Sequence, residues 1–258
     1  MAKKSYRYIY MICFSVLLCL AIVLLFSGTT EGFQGKASID LVVARYEEDI
    51  SWVNELPIDS YSQVYIYNKG SDSEFSIPKS TVIPLPNYGR ESHTYLYHVI
   101  QNYDRLSDVT FFVPGSGWHR DDKKKRIERI ADYLKTTTSS VIIGHREENY
   151  IKTTYDFSID TWEVTNEANR KKNSDTRLIP ALDRPLRNWF EKRFPNESIT
   201  FVSYTGIFAA SREDIRKKPK EFYEALFREH LHTNPEVVHY SERLWKNIFS
   251  IDDTHCIS

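Results

Sequence analysis

The sequence has few cysteines, and none of them is placed to build a disulfide framework. Cys13 and Cys19 lie in an apolar N-terminal segment, and Cys256 lies close to the C-terminus. The chain between them therefore has no cysteine pair for an internal disulfide and no cysteine-based metal site. A folded body in this region must be stabilised by its hydrophobic core.

An excess of charge of one sign is also missing. The chain has 34 Lys and Arg against 35 Asp and Glu, for a formal net charge of -1. Such a balance creates no global field that would attract nucleic acid or an acidic polymer. The run DDKKKR at 121–126 mixes both signs and is typical of a solvated helix face. We therefore expect no nucleic-acid partner.

Several well-known catalytic motifs are absent from the sequence. It contains no phosphate-binding P-loop. Ser116 in GSGW is not a nucleophile elbow, because Pro114 stands where that motif needs glycine. His93, His98 and His119 do not have the spacing of metal ligands. A hydrolase on an α/β sheet is accordingly our third hypothesis.

The longest uncharged apolar run, at 8–27, follows Lys3, Lys4 and Arg7. At about 1.5 Å per residue, a helix of this length crosses a hydrocarbon core of roughly 30 Å, and the basic flank places the N-terminus in the cytosol. The pattern predicts a single-pass type II membrane protein of the secretory pathway. Its parts would be a cytosolic tail (1–7), a signal anchor (8–27), a stem (28–37) and a luminal or extracellular domain (38–258). A cleaved signal peptide and a cytosolic protein with a buried N-terminal helix are the alternatives.

Strands and helices alternate along the predicted domain. Apolar runs at 39–44 and 64–67, and the segments STVIPLPN, DVTFFVPG and SSVIIGHRE, predict strands. Helical patterns follow the third strand at 90–103 and the fourth at 121–135, and they recur in PALDRPLRNWFEKRF and KPKEFYEALFREHL. The alternation predicts a mostly parallel sheet flanked by helices, with ligands bound beyond the carboxyl ends of the strands.

The C-terminal third carries two more specific expectations. ITFVSYTGIFAAS predicts a strand, a glycine turn and a second extended piece. SERLWKNIF predicts one helix that Ser241 caps and whose apolar stripe includes Leu244 and Trp245.

Charged residues cluster where the first two strands end. Arg45, Tyr46 and Glu47 follow the first strand, and Asn68 and Lys69 follow the second. Because the carboxyl ends of parallel strands meet at one edge of a sheet, these side chains are expected around one ligand. Ordinary polar loops would explain any one of them alone.

Gly89, Arg90 and Glu91 begin the helix NYGRESHTYLYHV. A helix N-terminus attracts anions, glycine permits a close approach, and arginine can grip a phosphate bidentately. Glu91 either favours the helix dipole or accepts hydrogen bonds from ribose or sugar hydroxyls. Together the three residues are suited to a diphosphate.

Five segments in this order resemble a family of largely uncharacterised, glycosyltransferase-like proteins with the nucleotide-sugar fold called GT-A. They are LVVARYEEDISWV, YIYNKG, LPNYGRESHTYLYHVIQNYDRLSDVTFFVPG, GIFAASREDIRKKPKEFYEAL and HYSERLWKNIF. The resemblance spans most of 39–250. Family members usually have Asn-Glu-Asp where this chain has 47–49, and Gln-Gly where it has Pro114-Gly115.

The resemblance implies a transferase that uses an activated sugar. Many GT-A enzymes hold Mn²⁺ or Mg²⁺ through Asp-x-Asp at the end of the central strand, but 113–117 contains no acid here. Three alternatives follow: the metal is held otherwise, or Arg45, Lys69 and Arg90 neutralise the leaving group, or catalysis has been lost.

We therefore predict transfer from a nucleotide-diphosphate sugar to a glycan or glycoprotein. The donor would lie against Arg45, Tyr46, Asn68, Lys69, Gly89, Arg90 and Glu91. Glu242, His239 and Glu47 are the catalytic candidates, with Glu242 as a base and His239 at a metal or the diphosphate. Helix capping is the simpler reading of Glu242. A non-catalytic glycan-binding or assembly protein on the same scaffold is the second hypothesis.

Overall fold

The computed structural model describes residues 37–72, 74–159 and 178–258. All of them except Ala37 belong to one structural unit, Ser38–Ser258. The predicted tail, anchor and stem lie outside the described residues, apart from Ala37. Within the described ranges, no helix has the length and apolar character needed to cross a membrane.

The described residues contain a seven-stranded sheet with the spatial order β3-β2-β1-β4-β6-β5-β7. The strands are β1 Ile39–Arg45, β2 Gln63–Asn68, β3 Ser80–Pro84, β4 Val109–Pro114, β5 Val141–Ile143, β6 Phe208–Ser211 and β7 Cys256–Ile257. β6 runs antiparallel to both of its neighbours, and the other neighbouring pairs are parallel. The predicted, mostly parallel α/β sheet is therefore confirmed.

Successive residues of β1 pack into two different cores. Leu41 and Val43 join the apolar cluster on one face of the sheet, whereas Val42 and Ala44 join the cluster on the other face. Side chains alternate across a strand, so the burial of every β1 residue means that both faces are covered. This two-sided burial explains the continuous apolar run in the sequence.

Helices lie on both faces of the sheet. They are α1 Arg90–Asn102, α2 Asp121–Tyr133, α3 Glu148–Tyr155, α4 Leu186–Arg193, α5 Arg212–Arg216, α6 Lys220–Glu229, α7 Val237–Arg243 and α8 Trp245–Ile248. The predicted stripe of α1 buries Tyr95, Leu96 and Val99 in one core. The helix α2 buries Ile127 and Ile130 in the other.

The strand order places a crevice between β1 and β4. From β1 the chain adds β2 and β3 on one side, and β4 then lies on the other side of β1. Where the strand order reverses in this way, the chain segments that leave the two neighbouring strands lead in opposite directions. They leave a gap for a ligand beyond the carboxyl ends of the strands. We call this side of the sheet the carboxyl edge. Because β6 is antiparallel, the segment that precedes it, 203–207, reaches the same edge.

The C-terminal helical region differs from the prediction. In place of one helix capped by Ser241, α7 begins at Val237 and is separated from α8 at Leu244, where φ is -117°. Ser241 lies inside α7, and its hydroxyl bonds His230 Nε2 at 2.9 Å. The Ser241 cap is therefore wrong, although Leu244 and Trp245 are buried as predicted.

Only part of the segment ITFVSYTGIFAAS forms a strand. Its second extended piece contains β6, and Gly206 makes the predicted turn with φ +59°. The first piece contributes a single antiparallel bridge between Val202 and His145. The two backbones exchange hydrogen bonds of 2.8 and 2.9 Å there. This bridge holds the loop before β6 against the end of β5.

A buried carboxylate joins the two described flanks of residues 160–177. Glu236, with 0% exposure, accepts from the backbone N–H of Ile159 and of Ala181, each at 2.9 Å. It also pairs with Arg184 Nε at 2.8 Å. A charge is tolerated in the interior only when it is paired and hydrogen-bonded in this way. Because Glu236 immediately precedes α7, both flanks are attached to the start of that helix.

Candidate functional site

Arg45 and Asn68, at the ends of β1 and β2, form one internal hydrogen-bond network. Arg45 donates from Nε to Glu48 O at 2.9 Å, from Nη1 to Asn68 Oδ1 at 2.8 Å and from Nη2 to Asp72 Oδ1 at 2.6 Å. The Asn68 amide donates to Asp72 O at 2.7 Å. Both side chains are buried, with 5% and 7% exposure. These hydrogen bonds fix the loops that follow β1 and β2. Direct binding of a donor by Arg45 and Asn68 stays a prediction.

Lys69, the residue after β2, reaches the N-terminus of α1. Its Nζ donates to Tyr88 O at 2.6 Å and also to Arg90 O. These carbonyls flank a left-handed turn, in which φ is +52° at Gly89 and +48° at Arg90. A non-glycine residue adopts this conformation only at an energetic cost. Lys69 thus stabilises the turn that places Arg90 at the carboxyl edge.

The Lys69 ammonium titrates near neutral pH. Burial lowers its pKa to about 7, while the negative charges of Glu91 and Glu48 act in the opposite direction. The predicted contact between Lys69 and the sugar donor therefore depends on an ammonium group whose charge changes with modest changes in pH.

Glu48 occupies the crevice between β1 and β4. A Cβ atom at Gly115, just after β4, would lie 2.9 Å from Glu48 Oε2. The same oxygen accepts from Tyr46 N at 2.7 Å. Glu47, the predicted catalytic candidate from this triplet, is exposed on the surface. Glu48 is thus the acidic side chain that lies at the reversal point, and the catalytic role of Glu47 stays a prediction.

Gly89 lies where no side chain would fit. A Cβ atom there would lie 2.7 Å from His230 O and 2.8 Å from His93 Cβ. The Gly89 N–H donates to His232 O at 2.8 Å. The absence of a side chain at Gly89 therefore lets the segment after α6 pack against its backbone. The Gly89 N–H donates its hydrogen bond to this segment.

Glu91 and Glu242 are carboxylates whose negative charges act on each other. Burial raises the pKa of Glu242 to about 7, and the negative charge of Glu91 adds to the rise. Glu91 lies in the first turn of α1, against the loop before β6, since a Cβ at Gly206 would lie 3.1 Å from Glu91 Cγ. In the same loop, Ser203 Oγ donates to Glu242 O at 3.2 Å. A carboxylate that titrates near neutral pH suits a general base.

Three cations act against this rise. Arg243, Arg90 and Lys123, in decreasing order of effect, lower the pKa of Glu242. Lys123 comes from the first turn of α2, and its Nζ donates to Ser116 Oγ at 3.1 Å, just after β4. Sequence reasoning assigned the charged run that contains Lys123 to a solvated surface. In the structure, the charge of Lys123 instead lowers the pKa of Glu242, the candidate base.

His239 is buried in α7 with 2% exposure. Burial lowers its pKa to about 3, and the positive charges of Arg90 and Arg243 act in the same direction. The imidazole is therefore neutral at physiological pH. It contributes no positive charge to a diphosphate, although neutral imidazole can still donate a hydrogen bond or bind a metal.

A second buried histidine, His230, links α6 to α7. Its Nδ1 lies 2.8 Å from Leu226 O, and its Nε2 lies 2.9 Å from Ser241 Oγ. A carbonyl can only accept, so Nδ1 carries the proton and Nε2 accepts from the Ser241 hydroxyl. Because His230 O also lies against Gly89, this residue joins the helix of Glu242 to the turn before α1.

The described residues do not provide a complete metal site. No group of three or more His, Cys, Asp and Glu side chains in the described ranges can hold a metal ion. The segment after β4 has Ser116 in place of the acidic residues that an Asp-x-Asp motif would supply. The Ser116 hydroxyl accepts a hydrogen bond from Lys123. Mg²⁺ and similar ions need several oxygen ligands. The three alternatives for Mn²⁺ or Mg²⁺ that follow from the sequence therefore stay open.

A family model described as "Protein of unknown function (DUF3431)" matches residues 41–258. Among curated proteins, none matches the chain.

Solved structures with weak similarity include mannosyl-3-phosphoglycerate synthase from Rubrobacter xylanophilus, with a TM-score of 0.32 and 11% identity over 69% of this chain. Glucosyl-3-phosphoglycerate synthase from Mycobacterium tuberculosis, in complex with phosphoglyceric acid, has a TM-score of 0.32 and 12% identity over 69% of this chain. The same synthase with Mn²⁺, uridine diphosphate and phosphoglyceric acid has a TM-score of 0.30 and 11% identity over 77% of this chain. The matches span 54%, 58% and 67% of those chains, respectively.

Proposed function

We propose that this chain, which belongs to the family described as protein of unknown function (DUF3431), is a glycosyltransferase. It would move a sugar from a nucleotide-diphosphate donor to a glycan or glycoprotein acceptor. The observation that carries the proposal is the meeting of charged residues at the carboxyl edge, where Lys69 Nζ bonds Arg90 O and Glu91 packs against the loop that bonds Glu242 O. The resemblance of the sequence to glycosyltransferase-like proteins supports the substrate class.

The cations at this edge suit the diphosphate of such a donor. Arg90 can bind phosphate oxygens bidentately, and Lys69 would donate its third N–H to the same group. Lys123 supplies positive charge from the side of α2. Tyr46, with 39% exposure after β1, offers a ring on which a nucleobase can stack. The donor would therefore lie across the ends of β1 and β2.

The reaction assigns a role to each carboxylate. Glu242 takes the proton from an acceptor hydroxyl while that oxygen forms a bond to the anomeric carbon of the donor sugar. The bond from this carbon to the diphosphate oxygen breaks, and the nucleoside diphosphate leaves with the bonding electron pair. Arg90, Lys69 and Lys123 stabilise the charge that develops on the leaving group. Glu91 accepts hydrogen bonds from sugar hydroxyls and, through its charge, maintains the raised pKa of Glu242.

We further propose that residues 8–27 anchor the domain in a membrane and that the domain faces the lumen or the exterior. The length of this apolar run and its basic flank support the anchor. A protease-protection assay on membranes tests the orientation, because a cytosolic domain would be digested without permeabilisation.

The transferase proposal is tested on the full chain in a detergent without a sugar headgroup. UDP-, GDP- and CMP-sugars, with and without Mn²⁺, are screened for thermal stabilisation and for slow donor hydrolysis. We expect selective stabilisation by one donor class. E242Q should keep that stabilisation but lower hydrolysis by roughly a hundred- to ten-thousand-fold, whereas the exposed control E55Q should retain activity. The absence of both stabilisation and hydrolysis with every donor would overturn the proposal.

A non-catalytic glycan-binding protein on the same scaffold is the second candidate. The observation that favours it is the acid-free segment 113–117 after β4. Such a protein would bind glycans without donor-dependent stabilisation and without hydrolysis, so the same screen separates the two functions.

A further inference from the structure

Three aromatic side chains meet at the carboxyl edge beyond β5. The rings of His145 and Tyr150 are stacked, with centroids 4.1 Å apart and planes inclined by 15°. The ring of Tyr204 lies 5.8 Å from His145 and 6.2 Å from Tyr150. His145 follows β5, Tyr150 belongs to the first turn of α3, and Tyr204 lies in the loop before β6. We call these three residues the aromatic shelf.

The aromatic shelf is accessible and firmly held. Tyr150 is 41% exposed, and the His145 side chain is 29% exposed. The backbone of His145 is fixed to Val202 by hydrogen bonds of 2.8 and 2.9 Å. Parts of the Tyr150 and His145 rings are thus open to solvent, next to a backbone that is hydrogen-bonded in place.

The aromatic shelf lies beside the candidate base. Ser203, the neighbour of Tyr204, donates to the backbone oxygen of Glu242 at 3.2 Å. Burial raises the pKa of Tyr204, and the negative charges of Tyr150 and Glu242 add to the rise. The Arg243 guanidinium lies 5.3 Å from the centre of the Tyr204 ring. In the sheet, β4 and β6 separate β5 from β1 and β2, where the donor diphosphate is proposed to bind. Ser203 and Arg243 thus link the shelf to the segment that carries Glu242.

We infer that the aromatic shelf is the acceptor subsite and that it binds a pyranose ring through its C–H face. A pyranose presents weakly positive C–H groups on its face, which suit the negative face of an aromatic ring, and hydroxyls at its rim, which suit carboxylates. Glu147, whose Oε2 lies 3.6 Å from His145 Nδ1, and Glu242 supply carboxylates next to the shelf. The inference rests on the proposed function and specifies its acceptor as a pyranoside.

The inference is tested by saturation-transfer NMR on the full chain in a detergent without a sugar headgroup. The probes are the methyl α- and β-pyranosides of glucose, mannose and galactose. We expect the wild type to transfer saturation to ring C–H protons of at least one probe. Y150A should bind that probe roughly three- to tenfold more weakly, and Y150F should bind it as the wild type does. Y150L, which keeps apolar volume without a ring, should resemble Y150A.

Tyr133 provides a matched control, because it lies at the far end of α2 and is half-buried. Y133A should leave the sugar contact unchanged, and thermal unfolding should show that every variant is folded. Unchanged binding in both Y150A and Y150L, an equal loss in Y133A, or no transfer to any probe from the wild type would overturn the subsite.

Donor hydrolysis, measured on the same samples, separates this inference from the proposed function. If the wild type binds a pyranoside through Tyr150 but hydrolyses no donor, the sugar-binding role of the shelf is supported and the transferase proposal is rejected. Donor hydrolysis with a sugar contact that does not depend on Tyr150 would keep the transferase and remove the subsite.

Discussion

The Lys69 ammonium donates a 2.6 Å hydrogen bond to the carbonyl of Tyr88 and so joins the exit of β2 to the turn before α1. The same group bonds the carbonyl of Arg90, whose backbone is left-handed. An L-residue in this conformation costs about 1–2 kcal/mol. One side chain thus stabilises the unfavourable turn and contributes charge to the proposed donor site.

Replacing Lys69 by methionine should destabilise the protein. The carbonyls of Tyr88 and Arg90 would lose their shared donor, and above pH 10.5, where the amine is neutral in both the folded and the unfolded protein, we expect a loss of about 1–3 kcal/mol in the free energy of unfolding. Urea denaturation measures it. The control K79M removes an exposed ion pair with Asp59 and should change stability by less than about 0.5 kcal/mol. Equal effects of the two substitutions would contradict the role assigned to Lys69.

Arg90→Gly should separate stability from donor binding. Glycine adopts a positive φ without the steric cost of about 1–2 kcal/mol, so the variant should remain folded. Loss of charge-assisted hydrogen bonds to the diphosphate should weaken donor binding by roughly ten- to a hundred-fold. Calorimetric titration with the nucleoside diphosphate measures the affinity. An unchanged affinity would show that the phosphates bind elsewhere.

Arg45→Lys should act mainly on stability. Lysine cannot reproduce the bonds to Glu48, Asn68 and Asp72, and we expect a loss of about 2–4 kcal/mol. R187K, at a position where the side chain is 45% exposed, is the matched control and should have little effect. Normal stability of R45K with weakened donor binding would instead support the direct donor contact predicted from the sequence.

Glu242→Gln should stabilise the protein above neutral pH. The pKa of Glu242 is raised from 4.5 to about 7 on folding, so the folded state binds more protons than the unfolded state between these values. Stability associated with the neutral acid is complete below pH 4.5 and is lost as the pH rises to about 7. Glutamine removes this loss, and we expect a gain of about 1–3 kcal/mol at pH 8. Urea denaturation at pH 4.5 and pH 8 measures the difference, which should vanish at the lower pH.

Turnover should show a narrow bell-shaped dependence on pH. Glu242 must be ionised to accept a proton and Lys69 must be protonated to bind phosphate, and each has a pKa of about 7. The pKa of His239, lowered to about 3, lies below the acid limb. Measurement of kcat/KM across the neutral range should therefore give a maximum near pH 7. In K69R the alkaline limb should move to higher pH, and a limb that does not move would exclude Lys69 as its source.

The sequence predicted the sheet because its signals are local. Buried parallel strands require continuous apolar runs, and β1, β2 and β4 appear as such runs. The stripe on α1 is likewise a local pattern. The charges of Arg90 and Glu91 affect the pKa of Glu242, and the roles predicted for these three residues in one site stay predictions.

The remaining residues of the site depend on long-range packing. The conformation of the loop after β1 determines that Glu48, and not Glu47, lies against Gly115. The alternation of side chains along a strand does not extend into this loop, so it does not predict which of the two residues faces Gly115. The influence of Lys123 on Glu242 follows from how α2 packs. The aromatic shelf combines three segments that are separated along the chain, so no sequence window contains its pattern. Ser241 looked like a cap because its partner, His230, is distant in the sequence.

Glu236 fastens both borders of the interval 160–177 to the same point, the start of α7. An insertion or deletion inside that interval would therefore begin and end at one anchored junction, next to the helix that carries Glu242. A change in the length of that interval would leave its two borders held by the same carboxylate.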